Sequence, residues 1–357
     1  MDDTLKQLRG RIDHLDDAIL KLLAERAQIA QQVGRAKNGD KIYRPEREAQ
    51  IVNRLRDANP GPLKSESVER VFREIMSSCR ALEQDLRVAY LGPPGTFSQS
   101  ALYKQFGHGV AALPEADIDS CFRAVETGRA DFAVVPVENS TEGAVSRTLD
   151  LIVTSPLQIC GEIMLPIHQN LMCKNARLEE IQRVYAHAQS FAQCQNWLHR
   201  HLPHAEHINV TSNSEGALRA AAEPEAAALG SEVAAELYGL SIIAPRVEDE
   251  ASNTTRFLVL GMSDADPSGR DKTSLVVGAP NEPGAIVKLL QPLADAGISM
   301  TKLESRPARS ANWEYLFFIV CEGHRLDAKL SATLAEIDTY AAFMKILGSY
   351  PASSKMP

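Results

Sequence analysis

Long apolar runs are missing from this 357-residue chain: the longest, such as Leu316 to Cys321, are far too short to cross a bilayer. Clustered cysteine is missing too. Cys79, Cys121, Cys160, Cys173, Cys194 and Cys321 are scattered without CxxC spacing, which excludes a zinc ribbon or disulfide framework and leaves buried reduced thiols. No GxGxxG follows an apolar run, and no GK[ST] ending closes a glycine-rich turn. Nicotinamide chemistry and a nucleotide-cradling loop therefore have no support, and no cofactor is expected. Excess positive charge is absent: the formal net charge is −8, which argues against a nucleic-acid partner. Met1 leads straight into an acidic, amphipathic segment with no leader pattern, so a cytoplasmic location without a membrane partner is expected. His199, His201, His204 and His207 suggest a metal by number, but their spacing suits neither one helix face nor a known site, and no metal is expected.

What is present is the composition of an ordinary globular protein, 44% hydrophobic and 24% charged, at a length that implies two or three domains. The charge is uneven. Residues 1–86 hold 16 Lys+Arg against 15 Asp+Glu, and the remainder 22 against 31, so cations are locally abundant in the first segment.

That first segment reads as all helix. From Asp3 to Val33 there is no proline, and Gly10 is the sole glycine. Leu5, Leu8, Ile12, Leu15, Ile19, Leu22, Ile29 and Val33 recur in steps of three and four, a heptad seam interrupted where Arg26 takes the core position. A helix of about 30 residues is roughly 45 Å long. The shorter helices expected near 44–57 and 65–85 cannot cover its seam, so an intertwined homodimer or larger homo-oligomer is expected.

A guanidinium on a helix seam is costly to bury alone, and Arg26 either snorkels, specifies register or meets an anion. Its company favours the anion: Arg9 lies beside Leu8, Lys37 follows three turns on, Arg47 and Glu48 adjoin the face with Ile51 and Leu55, and Cys79 and Glu83 are one turn apart. LRGRIDHLDDAILKLLAERAQIAQQVGRAK, YRPEREAQI and VFREIMSSCRALE together resemble the all-helical chorismate mutases over essentially all of 1–86. That resemblance implies rearrangement of a dianion within one molecule, by holding its folded conformation and stabilising charge on the ether oxygen. It assigns Arg9 of the partner subunit, Arg26 and Arg47 to the carboxylates, Lys37 to the ether oxygen and a carboxylate, and Glu48 to the substrate hydroxyl. Glu83, where some relatives carry Gln, falls beside the ether oxygen and must be protonated to donate, so mutase activity favouring mildly acidic pH is expected. Cys79 stands where a relative has Ser.

From Arg87 the period changes. VAYLG, FAVVPV, LQICGEI, AAALG and RFLVLG are short strands separated by helical stretches, an α/β alternation that continues to about Met262. Cations are scarce, 12 Lys+Arg in 87–264, and one device recurs instead. YLGPPGTFSQSA, VENSTEGAVSRTL, NVTSNSEGALRAA and ALGSEVAAELYG each run a strand into a turn that opens a helix, where free N–H groups suit a carboxylate. Singly, ordinary capping explains each of them.

Jointly, GPPGTFSQSA, VPVENSTEGAV, YAHAQSFAQC, ALGSEVAAELYGL and TTRFLVL resemble prephenate dehydratase. The resemblance implies two α/β lobes of the periplasmic-binding-protein kind, with the site in the cleft between them. It gives Thr255 the role of hydrogen-bond donor to departing hydroxide, and places Glu138, Asn139 and Gln193 in catalysis or binding and Thr96 and Ser98 near the substrate. Ala186 replaces a Ser common in that family, and His187 is read as a structural hydrogen-bonding residue.

SDADPSGRD, 263–271, is a polar linker. Beyond it the pattern β-α-β-β-α-β spells a ferredoxin-like plait over 272–351. PGAIVKLL and LESRP resemble the phenylalanine-binding motifs of ACT domains, which implies effector contacts from Gly284, Ala285, Ile286, Glu304, Ser305, Arg306 and Pro307.

The expected protein is therefore multidomain: all-α at 1–86, α/β at 87–264 and α+β at 272–351. The expected function is conversion of chorismate to prephenate and on to phenylpyruvate, inhibited by phenylalanine. A non-catalytic amino-acid sensor, and an enzyme with one of the two activities live, stand as alternatives.

Overall fold

The computed structural model describes residues 2–36, 43–279, 282–307 and 315–353. They divide into two compact units. The first comprises 1–44, 51–86 and 106–111; the second comprises 45–50, 87–105 and 112–357.

In the first unit α1 (Asp2–Ala36) is one uninterrupted helix of 35 residues, as the absence of proline allows. Its seam residues Leu5, Leu8, Ile12, Leu15, Ile19, Leu22, Ile29 and Val33 are all exposed in the single chain. α2 (Pro45–Asp57) opens on proline, whose missing N–H costs nothing in a first turn, and α3 (Ser65–Ala81) follows. Near the end of α3 the buried Arg80 guanidinium donates to the Phe106 carbonyl at 2.7 Å and lies over the Tyr43 ring.

The second unit contains three sheets. β1 (Arg87–Leu91), β2 (Ala111–Glu115), β3 (Phe132–Asn139) and β5 (Gln158–Pro166) join β11 (Thr254–Gly261) in the order β2-β1-β3-β11-β5, with β4 (Gly143–Ala144) pairing β3. This is lobe 1, with helices α4 (Phe97–Phe106), α5 (Ile118–Glu126) and α6 (Ser146–Thr154). β6 (Asn170–Cys173), β7 (Arg183–Ala186), β8 (Glu206–Asn209), β9 (Ala226–Gly230) and β10 (Ser241–Ala244) form lobe 2, ordered β10-β6-β9-β7-β8. Its helices are α7 (Ala188–Gln193), α8 (Gln195–His201), α9 (Asn213–Ala222) and α10 (Glu232–Tyr238). The chain leaves lobe 1 after β5 and returns through β11, so two connections join the lobes. All five residues of β9, AAALG, are buried, which accounts for its unbroken apolar run.

The third sheet is the expected plait: β12 (Asp271–Gly278), α11 (Ala285–Asp295), β13 (Met300–Pro307), β14 (Tyr315–Glu322), α12 (Ala328–Tyr340) and β15 (Phe343–Pro351), in strand order β13-β14-β12-β15. One face packs on its own helices, with Leu275, Ile319, Leu289 and Leu334 in one core. The other face joins lobe 1: Val276, Phe318, Leu347 and Tyr350 share a core with Val135, Ile152 and Leu258. β15 runs so close to β5 that a Cβ on Gly348 would collide with the Ile159 carbonyl oxygen.

All six cysteines are free and buried. Burial pushes the Cys121 and Cys321 thiols up to about 12, so neither is a ready nucleophile. Among the described residues no helix is long and apolar enough to cross a membrane, and no group of three His, Cys, Asp or Glu could hold a metal.

Candidate active sites

A cavity of about 250 Å³ opens between the lobes. From lobe 1 it is lined by Gly95, Thr96, Phe97, Asn139, Asn253 and Thr255, and from lobe 2 chiefly by Gln169, His187, Ser190, Gln193, Ser212, Asn213 and Ser231. Among the described residues that line it, none is Lys, Arg, Asp or Glu. An anion held here would meet amides, hydroxyls and helix N-termini rather than fixed cations. The last arise because the strand-turn-helix device recurs: Ser212 caps α9 by accepting from Glu215 N–H, and Ser231 caps α10 by accepting from Ala234 N–H, both at 3.1 Å.

The floor of the cavity is set by strand register. Thr255 on β11 lies opposite Asn139 on β3. Asn139 Nδ2 donates to Thr255 Oγ1 at 2.8 Å and to Asn253 Oδ1 at 2.9 Å. The amide cannot be reversed, because Asn139 Oδ1 accepts from the Thr141 and Glu142 backbone N–H groups at 3.0 and 3.2 Å. Thr255 Oγ1 thus receives a hydrogen bond, and its own proton remains to be given to a bound molecule.

A second network fixes the opposite wall. Gln169 Nε2 donates to Ser190 Oγ and Gln193 Oε1, each at 3.1 Å, and Asn213 Nδ2 donates to Ser190 Oγ at 2.7 Å. His187 Nδ1 accepts from Gln189 N–H as the cap of α7, the structural role expected of it.

The GPPG loop carries Gly95 (φ +89°) between these walls. A Cβ there would stand 2.9 Å from Ser214 Oγ and 3.3 Å from Ala234 Cα, so only glycine lets the loop approach lobe 2. Thr96 Oγ1 donates to the Leu91 carbonyl at 3.0 Å while the residue lines the cavity. Ser98 is buried on α4 outside the lining, and Glu138 lies one residue before Asn139, ion-paired to Lys302.

Sequence reading does not find Gln169, Ser190, Asn213 or Asn253 as site residues. Ser190, Asn213 and Asn253 lie within or beside quoted motifs, so proximity was the available signal. Gln169, in the first connection between lobes, carries none.

In the helical unit Arg26 is half-buried on α1, whereas Arg9 is exposed. Glu83 lies against α1: a Cβ on Gly34 would come within 2.6 Å of its Oε2. Cys79 is buried one turn earlier. Arg47, exposed, and Glu48, half-buried, sit early in α2, in the part grouped with the second unit. Lys37 lies outside the described residues.

In the plait Gly284 adopts the left-handed conformation at the N-cap of α11, with Ala285 buried and Ile286 half-buried after it. Glu304 and Arg306 project from one face of β13 and Ser305 and Pro307 from the other.

A cleft lined by amides and hydroxyls, with the Thr255 hydroxyl at its floor and a β-α-β-β-α-β plait on the same compact unit, suits a protein that binds small organic acids. Family models agree along the chain: chorismate mutase type II matches residues 8–84, prephenate dehydratase 88–265 and the ACT domain 273–338. The bifunctional chorismate mutase/prephenate dehydratase of Neisseria gonorrhoeae is 53% identical, and that of Stutzerimonas stutzeri 49%, each match covering 98% of both chains. A prephenate dehydratase from Arthrobacter aurescens, solved in complex with L-Phe, matches at 32% identity and a TM-score of 0.68 over 76% of this chain and 91% of that one. The chain belongs to the bifunctional chorismate mutase/prephenate dehydratase family.

Proposed function

We propose that the chain rearranges chorismate to prephenate with residues 1–86, converts prephenate to phenylpyruvate with 87–264, and is inhibited through 272–351 by phenylalanine. The observation that carries the dehydratase reading is the Asn139–Thr255 hydrogen bond at the floor of a cleft whose described lining residues include no Lys, Arg, Asp or Glu. Prephenate loses its ring carboxylate as carbon dioxide, and the electrons of that bond aromatise the ring as hydroxide leaves. The Thr255 hydroxyl donates to the departing oxygen, and the bond from Asn139 stabilises the negative charge that builds on Oγ1. Gln193, held by Gln169, and the capped N-termini of lobe 2 receive the carboxylates, with Thr96 at the lobe 1 rim.

For the mutase, Arg26, Arg47 and Arg9 of the partner subunit hold the carboxylates, Glu48 takes the substrate hydroxyl, and Glu83 donates to the ether oxygen beside α1. Lys37 takes its role from the family resemblance alone. The exposed seam of α1 supports a homodimer, since about eight large apolar side chains in water along one helix are otherwise unfavourable. The chain works in the cytoplasm.

A time course of purified protein with chorismate alone, with and without phenylalanine, tests all three assignments. Phenylpyruvate formed without any cofactor, and less of it with phenylalanine, is expected. Prephenate accumulating without phenylpyruvate refutes the dehydratase reading, and untouched chorismate refutes the mutase reading.

A further inference from the structure

β13 carries three charges in a row on the face that its sheet turns to lobe 1. The residues beside them on β14 are apolar, Leu316, Phe318 and Val320, while β12 adds Lys272 and Ser274 to the same face. The residues of β13 in register with those three on β14 are Arg306, Glu304 and Lys302. They are half-buried, whereas Met300 and Leu303 on the same strand are exposed. Three charges on a covered face are costly unless each has a partner.

Partners for the two cations lie in lobe 1. Lys302 Nζ is 2.7 Å from Glu138 Oε2 and 3.1 Å from Glu304 Oε2, ion-pair contacts without hydrogen-bond geometry to either carboxylate. Arg306 Nη2 is 3.4 Å from Asp150 Oδ1 on α6. Glu138 is the last residue of β3 before Asn139, and the strand register that sets Glu138 opposite Arg256 sets Asn139 opposite Thr255. One ammonium on the plait therefore lies in ion-pair contact with a side chain adjacent to the donor pair, while sharing its charge with Glu304.

We infer that Lys302 is a positioning residue for the dehydratase, supplied by the plait: it holds Glu138 and so keeps the end of β3, with Asn139, in register with Thr255. Glu304 competes for the same ammonium, which makes the pairing reversible. In the active arrangement Lys302 bridges both carboxylates. In the inhibited arrangement β13 carries Lys302 away with Glu304, and Asn139 loses its support. An effector acts by binding the second arrangement more tightly than the first. The inference rests on the dehydratase and phenylalanine assignments above.

The test uses the full chain and prephenate, with the chorismate mutase rate as the control for folding. Lys302→Met is expected to lower dehydratase kcat roughly tenfold, a typical coupling for contacting charges, with KM within about twofold and the mutase rate unchanged. Its residual activity should respond less to phenylalanine than the wild type does. Lys302→Arg should restore kcat to within about threefold of wild type. Lys302→Met combined with Glu138→Gln should be no slower than the slower single variant, because both changes break one interaction. A Lys302→Met enzyme with wild-type kcat and wild-type inhibition overturns the inference, as does a double variant whose loss is the product of the two singles. A wild-type chain inactive on prephenate overturns the assignment beneath it, and that result is read before any variant is made.

Discussion

Replacing Thr255 by valine removes one hydroxyl and keeps the β-branched shape that suits β11. Two effects are separable. The first is catalytic: Oγ1 accepts from Asn139 at 2.8 Å, so its proton is the donor available to departing hydroxide. Deleting one preorganised donor to a developing negative charge costs about 3–4 kcal/mol, or roughly 100- to 1000-fold in kcat. The second is structural and smaller. Asn139 retains its bond to Asn253 at 2.9 Å and its own backbone donors, so one amide hydrogen loses its partner at a residue already bordering a cavity. That costs about 1 kcal/mol, a shift of roughly 2–4 °C in a domain of this size. The assay is phenylpyruvate formation from prephenate, alongside chorismate consumption and a thermal melt. Thr255→Val should lose two to three orders of magnitude in kcat, change KM little, and make prephenate accumulate from chorismate. Thr255→Ser should retain most of the rate. A valine variant within about threefold of wild type refutes the donor role, and a melting temperature lower by more than about 10 °C assigns Thr255 to stability.

Ile12→Glu places a charge on the exposed seam of α1; light scattering should show a smaller assembly than wild type, with mutase activity reduced and dehydratase activity kept. An unchanged mass removes the case for association through this seam. Gly95→Ala forces a Cβ against Ser214 and a left-handed backbone on alanine, and should raise KM for prephenate by roughly tenfold or more; an unchanged KM means that the GPPG loop does not shape the cleft. Glu162, buried between Arg256 at 3.1 Å and Lys272 at 2.6 Å, holds two cations near Tyr350, whose phenol burial pushes up to about 12 and so keeps protonated. Glu162→Gln should destabilise the second unit by roughly 3–5 kcal/mol in urea unfolding, because it leaves Arg256 and Lys272 without their anion. A loss below about 1 kcal/mol shows that water or Tyr350 compensates.

Much of this protein is legible in one dimension because its physical causes are local. The step of three or four along α1, the alternation of strand and helix after Arg87, and the β-α-β-β-α-β order at the end follow from the periods of backbone geometry, and each recurs in the structure. The TTRF and ENST stretches name Thr255 and Asn139 through their resemblance to a family's motifs, and the two side chains line one cavity. Between Met262 and Arg270 the chain forms no helix or strand, and Asp264 and Ala265 bond to Arg325, His324 and Ser349 of the plait before β12 begins at Asp271.

Tertiary structure alone decides which motif residues share a surface. Antiparallel register between β3 and β11 places Asn139 against Thr255 across 116 positions of chain, and leaves Glu138 facing a lysine of the plait rather than the cavity. Folding of lobe 2 brings Gln169, which carries no motif, onto Ser190 and Gln193. Likewise, Glu304 and Arg306 stand in an effector-like motif, yet their ion pairs run to Lys302 and Asp150. A sequence records which side chains exist and at what local spacing. Which of them meet depends on strand order and register, and those are set by the burial of whole faces rather than by any single residue.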